Sequence, residues 1–133
     1  MNKITIGGRN IMSETTTKYE TKSILSLGID PGIGNTGYAF VQKNLKGYRH
    51  IDSGTIETPK HWDEASRLHH IETEIHELLK FKYPRTFCIE SIFFQKNQKT
   101  AMSTAKVIGI CLSVAKRNHI QCIKEVRLSL IHI

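Results

Sequence analysis

Two acidic residues, Asp30 and Glu90, each close a run of mostly apolar residues. Ile24 to Ile29 leads into Asp30, and Thr86-Phe87-Cys88-Ile89 leads into Glu90. Such near-continuous runs fit strands buried on both faces. An acid ending a strand of this kind emerges at the C-terminal edge of the sheet, where open α/β sheets hold their sites. If the two strands are parallel neighbours, the carboxylates meet there. Their repulsion then raises one pKa unless a cation sits between them. Oxygen-only ligands suit Mg2+, with Mn2+ able to substitute, better than zinc. Each acid could equally cap its own strand or pair with a nearby lysine, and patterning alone leaves that open.

Other chemistry-bearing residues are weaker signals. Gly32-Ile33-Gly34-Asn35-Thr36-Gly37 matches G-x-G-x-x-G, with Asp52 about 20 residues on, as a dinucleotide fingerprint asks. That fingerprint needs the glycines to open a helix facing the pyrophosphate. Here β-branched and aromatic residues follow (Thr36 to Val41), so the run reads as a turn between strands. His69, His70 and His76 lie near Glu72 and Glu77 but lack H-E-x-x-H spacing, which reads as a wet helix surface. Cys88, Cys111 and Cys122 are odd in number and form no C-x-x-C. They read as reduced, mostly buried thiols.

The elements that must position Asp30 and Glu90 follow from periodicity. Strands are expected over 24–30, 36–42 and 48–58, joined by connections short enough for an antiparallel meander. Pro59 ends that region, and a helix over 61–80 is the clearest in the chain, with Ala65, Leu68, Ile71, Ile75 and Leu78-Leu79 on one stripe. A strand over 86–90, a helix over 98–117 and a strand over 119–126 complete the order β-β-β-α-β-α-β. The fold class is α/β, a mixed sheet with helices on its faces. The helix over 61–80 would act as a right-handed crossover making the strands of Asp30 and Glu90 parallel. Ala101, Ala105, Gly109 and Ala115 give the second helix a small-residue stripe, which serves either close helix–helix approach or packing on its own sheet.

The chain has 133 residues, room for one domain, with residues 1–22 reading as a flexible leader and 23–133 as the folded part. The formal net charge is +7. Residues 1–79 carry nine basic residues against ten acids, whereas residues 80–124 carry nine against the single acid Glu90. An almost purely basic half suggests a polyanionic partner, because phosphates reward clustered Lys and Arg through counterion release. No run approaches the ~18 apolar residues of a membrane span. Glu14 and Glu20, without an apolar core segment, argue against a secretory signal. The expected setting is cytoplasmic, with no membrane partner.

Leu27-Gly28-Ile29-Asp30-Pro31-Gly32 with Thr36-Gly37-Tyr38, together with the stretch from Ile89 to Asn97 (I-E-S-I-F-F-Q-K-N), resembles the RuvC family of Holliday junction resolvases. G-I-D-P-G alone occurs across ribonuclease H-like proteins; the second stretch is much more specific. The resemblance implies a ribonuclease H-like fold, a homodimer and Mg2+-dependent symmetric nicking of four-way DNA junctions. It also implies partnership with a branch-migration helicase complex. Asp30 matches the family's first metal-binding aspartate and Glu90 its second catalytic acid. Phe93 matches an aromatic that stacks on an unpaired base, a contact worth ~1–3 kcal/mol and tolerant of sequence. Lys96, Asn97 and Lys99 would contact the DNA backbone, positioning without specifying.

The chain departs from the family at one point. The family completes its metal site with a D-x-x-D-A pattern on a C-terminal helix, and Arg127 to Ile133 contains no acid. The sequence therefore reads as a fragment, a frameshift product or a degenerate copy, lacking the family's C-terminal helices. Weak or absent cleavage, an uncovered sheet face and poor solubility are expected. A catalytically dead module binding branched DNA, and a ribonuclease H-like nuclease acting on another nucleic acid, are the alternatives.

Overall fold

A computed structural model of the chain describes residues 23–91 and 97–127. The expected leader over 1–22 lies outside the described residues. Five strands, β1 (Ile24–Asp30), β2 (Asn35–Asn44), β3 (Gly47–Glu57), β4 (Thr86–Glu90) and β5 (Cys122–Val126), form one sheet in the order β3-β2-β1-β4-β5. Helix α1 (Glu64–Phe81) joins β3 to β4, and α2 (Gln98–Arg117) joins β4 to β5. The first three strands are an antiparallel meander, while β1/β4 and β4/β5 are parallel. The α/β mixed sheet and its element order are those the periodicity predicts.

Alternation along the strands sorts side chains between the two faces. Leu27 and Ile29 of β1, Phe40 of β2, Ile56 of β3 and Phe87 and Ile89 of β4 are buried in one cluster with both helices. Ile71, Ile75 and Leu79 come from α1, and Val107, Ile108, Cys111, Val114 and Ala115 from α2. Both helices thus cover the same face, and the opposite face presents Gly28, Ala39 and Cys88. There the described residues line a depression of about 430 Å³ that reaches Asp30 and Glu90.

Two element starts and one strand register depart from the sequence expectation for local reasons. Helix α1 starts at Glu64, not His61, because Asp63 takes an extended conformation and accepts hydrogen bonds from the backbone and hydroxyl of Ser66. The final strand starts at Cys122, not His119. Residues 118–120 instead close α2: His119 adopts φ 61° and donates to Lys116 O, while Ile120 donates to Ala115 O. This is a Schellman cap with histidine where glycine is usual. In β3 the register slips where Phe40 pairs with Asp52 and Val41 with His50, leaving Ile51 as the extra residue of a bulge. That slip is why the apolar spacing in this strand is irregular.

The cysteines are free, but only Cys111 is buried; Cys88 and Cys122 are half-exposed on the sheet. Burial pushes the Cys111 thiol up to about 12. On α2, Ala115 packs in the core, whereas Ala105 and Gly109 are exposed, so only part of the small-residue stripe packs on the sheet.

Candidate active site

Ile29 of β1 and Ile89 of β4 are the last parallel pair of their ladder. Asp30 and Glu90 follow one step later, on neighbouring strands and at the same edge. They are close enough for their carboxyl groups to share a hydrogen bond. Burial, the negative charge of Asp30 and that hydrogen bond, in this order, raise the Glu90 pKa above the ordinary carboxylate range. Two carboxyls so placed repel when both are charged, and a proton on one of them relieves that repulsion. A divalent cation between the pair would take the place of that proton. Among the described residues neither acid pairs with a lysine or arginine within 4.0 Å.

The turn after Asp30 is held by hydroxyls. The buried Thr36 hydroxyl donates to Gly32 O at 2.7 Å. Across from it, Thr58 N donates to Gly34 O at 3.0 Å and Thr58 Oγ1 donates to Ile33 O. No helix opens at these glycines, and β2 begins at Asn35, in keeping with the rejection of a dinucleotide site. A Cβ at Gly32 would lie 2.5 Å from Asn35 O, so glycine there is a steric requirement. Thr58 and Arg67, which bonds Thr58, stand out neither by charge pattern nor by motif, and Thr36 falls inside the glycine-rich run with no role assigned to it. The i, i+4 spacing of Gly32 and Thr36 is the faint signal that could have found one of them.

The remaining candidates are placed as follows. Phe93 and Lys96 lie outside the described residues. Asn97 turns its side-chain oxygen to α2, accepting from Lys99 N at 2.9 Å and Thr100 N at 3.3 Å. It caps the helix, a role that sequence reasoning did not give it. Lys99 is exposed in the first turn of α2, which starts on the acid side of the sheet. The histidines gather no metal: His69 faces Glu72 at 3.7 Å, and His76 bonds Asn118 at 3.0 Å. Among the described residues no three His, Cys, Asp or Glu side chains converge.

Among the described residues, three basic residues of the 80–124 half are paired with acids. Lys82 pairs with Asp52 (3.8 Å), Lys106 with Glu64 (2.7 Å) and Arg117 with Glu72 (2.9 Å), each across to the acidic half. Lys80, Lys82 and Arg85 precede β4 and so lie at the end of the sheet away from Asp30 and Glu90. No described helix is long and apolar enough to cross a membrane.

A family model described as "Crossover junction endodeoxyribonuclease RuvC" matches residues 26–128, the stretch that contains both acids, most of β1 and the other four strands. The chain belongs to the RuvC family. Among curated relatives, RuvC of Brachyspira hyodysenteriae is 39% identical over 98 residues, covering 74% of this chain and 61% of that protein. RuvC of Caldicellulosiruptor saccharolyticus is 37% identical over 95 residues, covering 71% and 57%. The chain thus spans about three fifths of the length of the RuvC relatives it matches. Among solved structures, Thermus thermophilus RuvC in complex with Holliday junction substrate superposes with TM-score 0.72 at 19% identity, covering 81% of this chain and 67% of that one. That likeness carries the ribonuclease H-like RuvC fold, and the relatives named are crossover junction endodeoxyribonucleases.

Proposed function

We propose that this RuvC-family chain is the Asp30/Glu90 part of a Holliday junction resolvase, an endodeoxyribonuclease that nicks four-way DNA junctions in recombination and repair. The observation that carries the reading is the convergence of Asp30 and Glu90 at one sheet edge, in a chain whose relatives are crossover junction endodeoxyribonucleases. The Thermus relative bound to junction substrate makes four-way DNA the partner to test first.

Two adjacent carboxylates with a raised Glu90 pKa fit one hard divalent cation, Mg2+ with Mn2+ as substitute. Such an ion keeps several waters and takes one or two protein carboxylates plus substrate phosphate. Asp30 and Glu90 would hold it. Bound there, it would supply charge stabilisation and an activated water for in-line attack on a phosphodiester. A second ion finds no further acidic ligands among the described residues. The 133-residue polypeptide is therefore expected to cleave weakly. The chain's own contributions are the paired acids, the hydroxyl-held turn beneath Asp30, and the Lys96 and Lys99 charges that would meet DNA backbone. Phe93 would stack on an unpaired base at the junction centre. A homodimer suits a two-fold junction, and family membership supports cooperation with a branch-migration helicase in the cytoplasm as part of the same reading.

Among the described residues no third His, Cys, Asp or Glu joins the pair, and a branched-DNA-binding module without cleavage is the second reading. Gel shifts and nicking assays on the same sample separate the two. Junction binding with Mg2+-dependent nicks that vanish in Glu90→Gln supports the resolvase. Junction binding without nicks supports the binding module. Equal binding of linear duplex and junction would overturn both.

A further inference from the structure

We propose that Arg67 is a positioning residue for Asp30: acting through Thr58, it clamps the turn over residues 31–34 and so sets where the Asp30 carboxylate stands beside Glu90. The inference rests on the reading of Asp30 and Glu90 as the cation-holding pair, and deepens it.

Asp30 is the last residue of β1, and the chain must reverse within four residues to start β2 at Asn35. Two of the four, Gly32 and Gly34, have no side chain to anchor the turn. The anchoring comes from outside it. Arg67, in the first turn of α1, donates from Nε to Thr58 Oγ1 at 2.8 Å and from Nη2 to Thr58 O at 3.2 Å. A threonine hydroxyl has one proton, and an arginine can only donate. The Arg67 bond therefore directs the Thr58 proton to Ile33 O, while Thr58 N holds Gly34 O at 3.0 Å. Both Thr58 and Thr36 are buried, so these bonds form out of water, where losing a partner is costly. Gly34 lies directly against the fork, since a Cβ there would be 3.2 Å from Arg67 Nη2. Among the described residues Arg67 forms no ion pair within 4.0 Å, and its guanidinium hydrogen bonds go to Thr58. A lysine cannot reproduce the two-pronged contact.

The test uses the full 133-residue chain and four samples: wild type, Arg67→Ala, Thr58→Val and Thr58→Ser. Backbone NMR reads the amides of Asp30, Gly32 and Gly37, with Ile75 and Val114 as core controls. Calorimetry with MnCl2 alone reads cation affinity. Arg67→Ala and Thr58→Val are expected to shift the Asp30 and Gly32 amides while the core controls stay put. Both should also weaken Mn2+ binding about tenfold, the range for partners that orient metal ligands. Thr58→Ser, which keeps the hydroxyl, should behave as wild type in both measurements. Unmoved Asp30 resonances in Arg67→Ala, or moved resonances with wild-type Mn2+ affinity, would overturn the inference. If Asp30 moves as expected but no sample, wild type included, binds Mn2+, the clamp stands and the cation-binding reading falls.

Discussion

Asp30 and Glu90 stand one step beyond the Ile29–Ile89 rung, on parallel neighbouring strands, where burial and the charge of Asp30 raise the Glu90 pKa. Two acids on separate sequence segments are brought together by the crossover through α1. The pair is unfavourable for folding at neutral pH, as preorganised sites commonly are.

That cost has a sign that can be measured. The folded-state pKa of Glu90 is raised, so its contribution to stability is fully present below the unfolded carboxylate pKa and is lost as pH rises through the folded value. Asp30→Asn removes the repulsion. The melting temperature should therefore rise at neutral pH, and the gain should shrink as the solution is acidified into the carboxylate range. A variant less stable than wild type at neutral pH would show that the two acids do not repel in the folded chain.

Gly32→Ala tests the turn beneath Asp30. Its Cβ would meet the Asn35 carbonyl at 2.5 Å, a backbone atom that cannot step aside. The expected outcome is a loss of roughly 1–3 kcal/mol in urea unfolding, typical of strain in a tight turn. Mn2+ affinity should fall alongside it, and a neutral substitution would mean that the turn is looser than its hydrogen bonds imply.

Asn97 gives a way to separate stability from DNA contact. Its side-chain oxygen caps α2, so Asn97→Ala should cost about 1 kcal/mol and Asn97→Asp almost nothing, read by thermal melting. If Asn97→Asp is stable yet loses junction affinity, the residue also meets DNA.

Junction binding should depend on salt. If Lys96 and Lys99 contact phosphates, log affinity falls linearly with log salt, and the double Lys→Ala variant should flatten the slope by about two. An unchanged slope places the DNA elsewhere on the chain. Because Lys82, Lys106 and Arg117 are paired with acids, their removal should change the slope less than that of Lys99.

Much of the architecture was legible in the residue order itself. Apolar runs bounded by Asp30 and Glu90, an amphipathic stripe from Ala65 to Leu79 and the turn signals at Pro31 and Pro59 determined the element order, because burial periodicity is a local property of the chain. The parallel pairing of β1 with β4 followed from the handed crossover. What only the tertiary structure decided depends on partners far apart in sequence. The bulge at Ile51 answers the register of β2, and Lys82, Lys106 and Arg117 pair with acids of the other half. The turn that carries Asp30 is likewise secured from Thr58 and Arg67, more than twenty residues away. A hydrogen bond leaves no periodic trace in a sequence; it exists only once folding has brought donor and acceptor within reach.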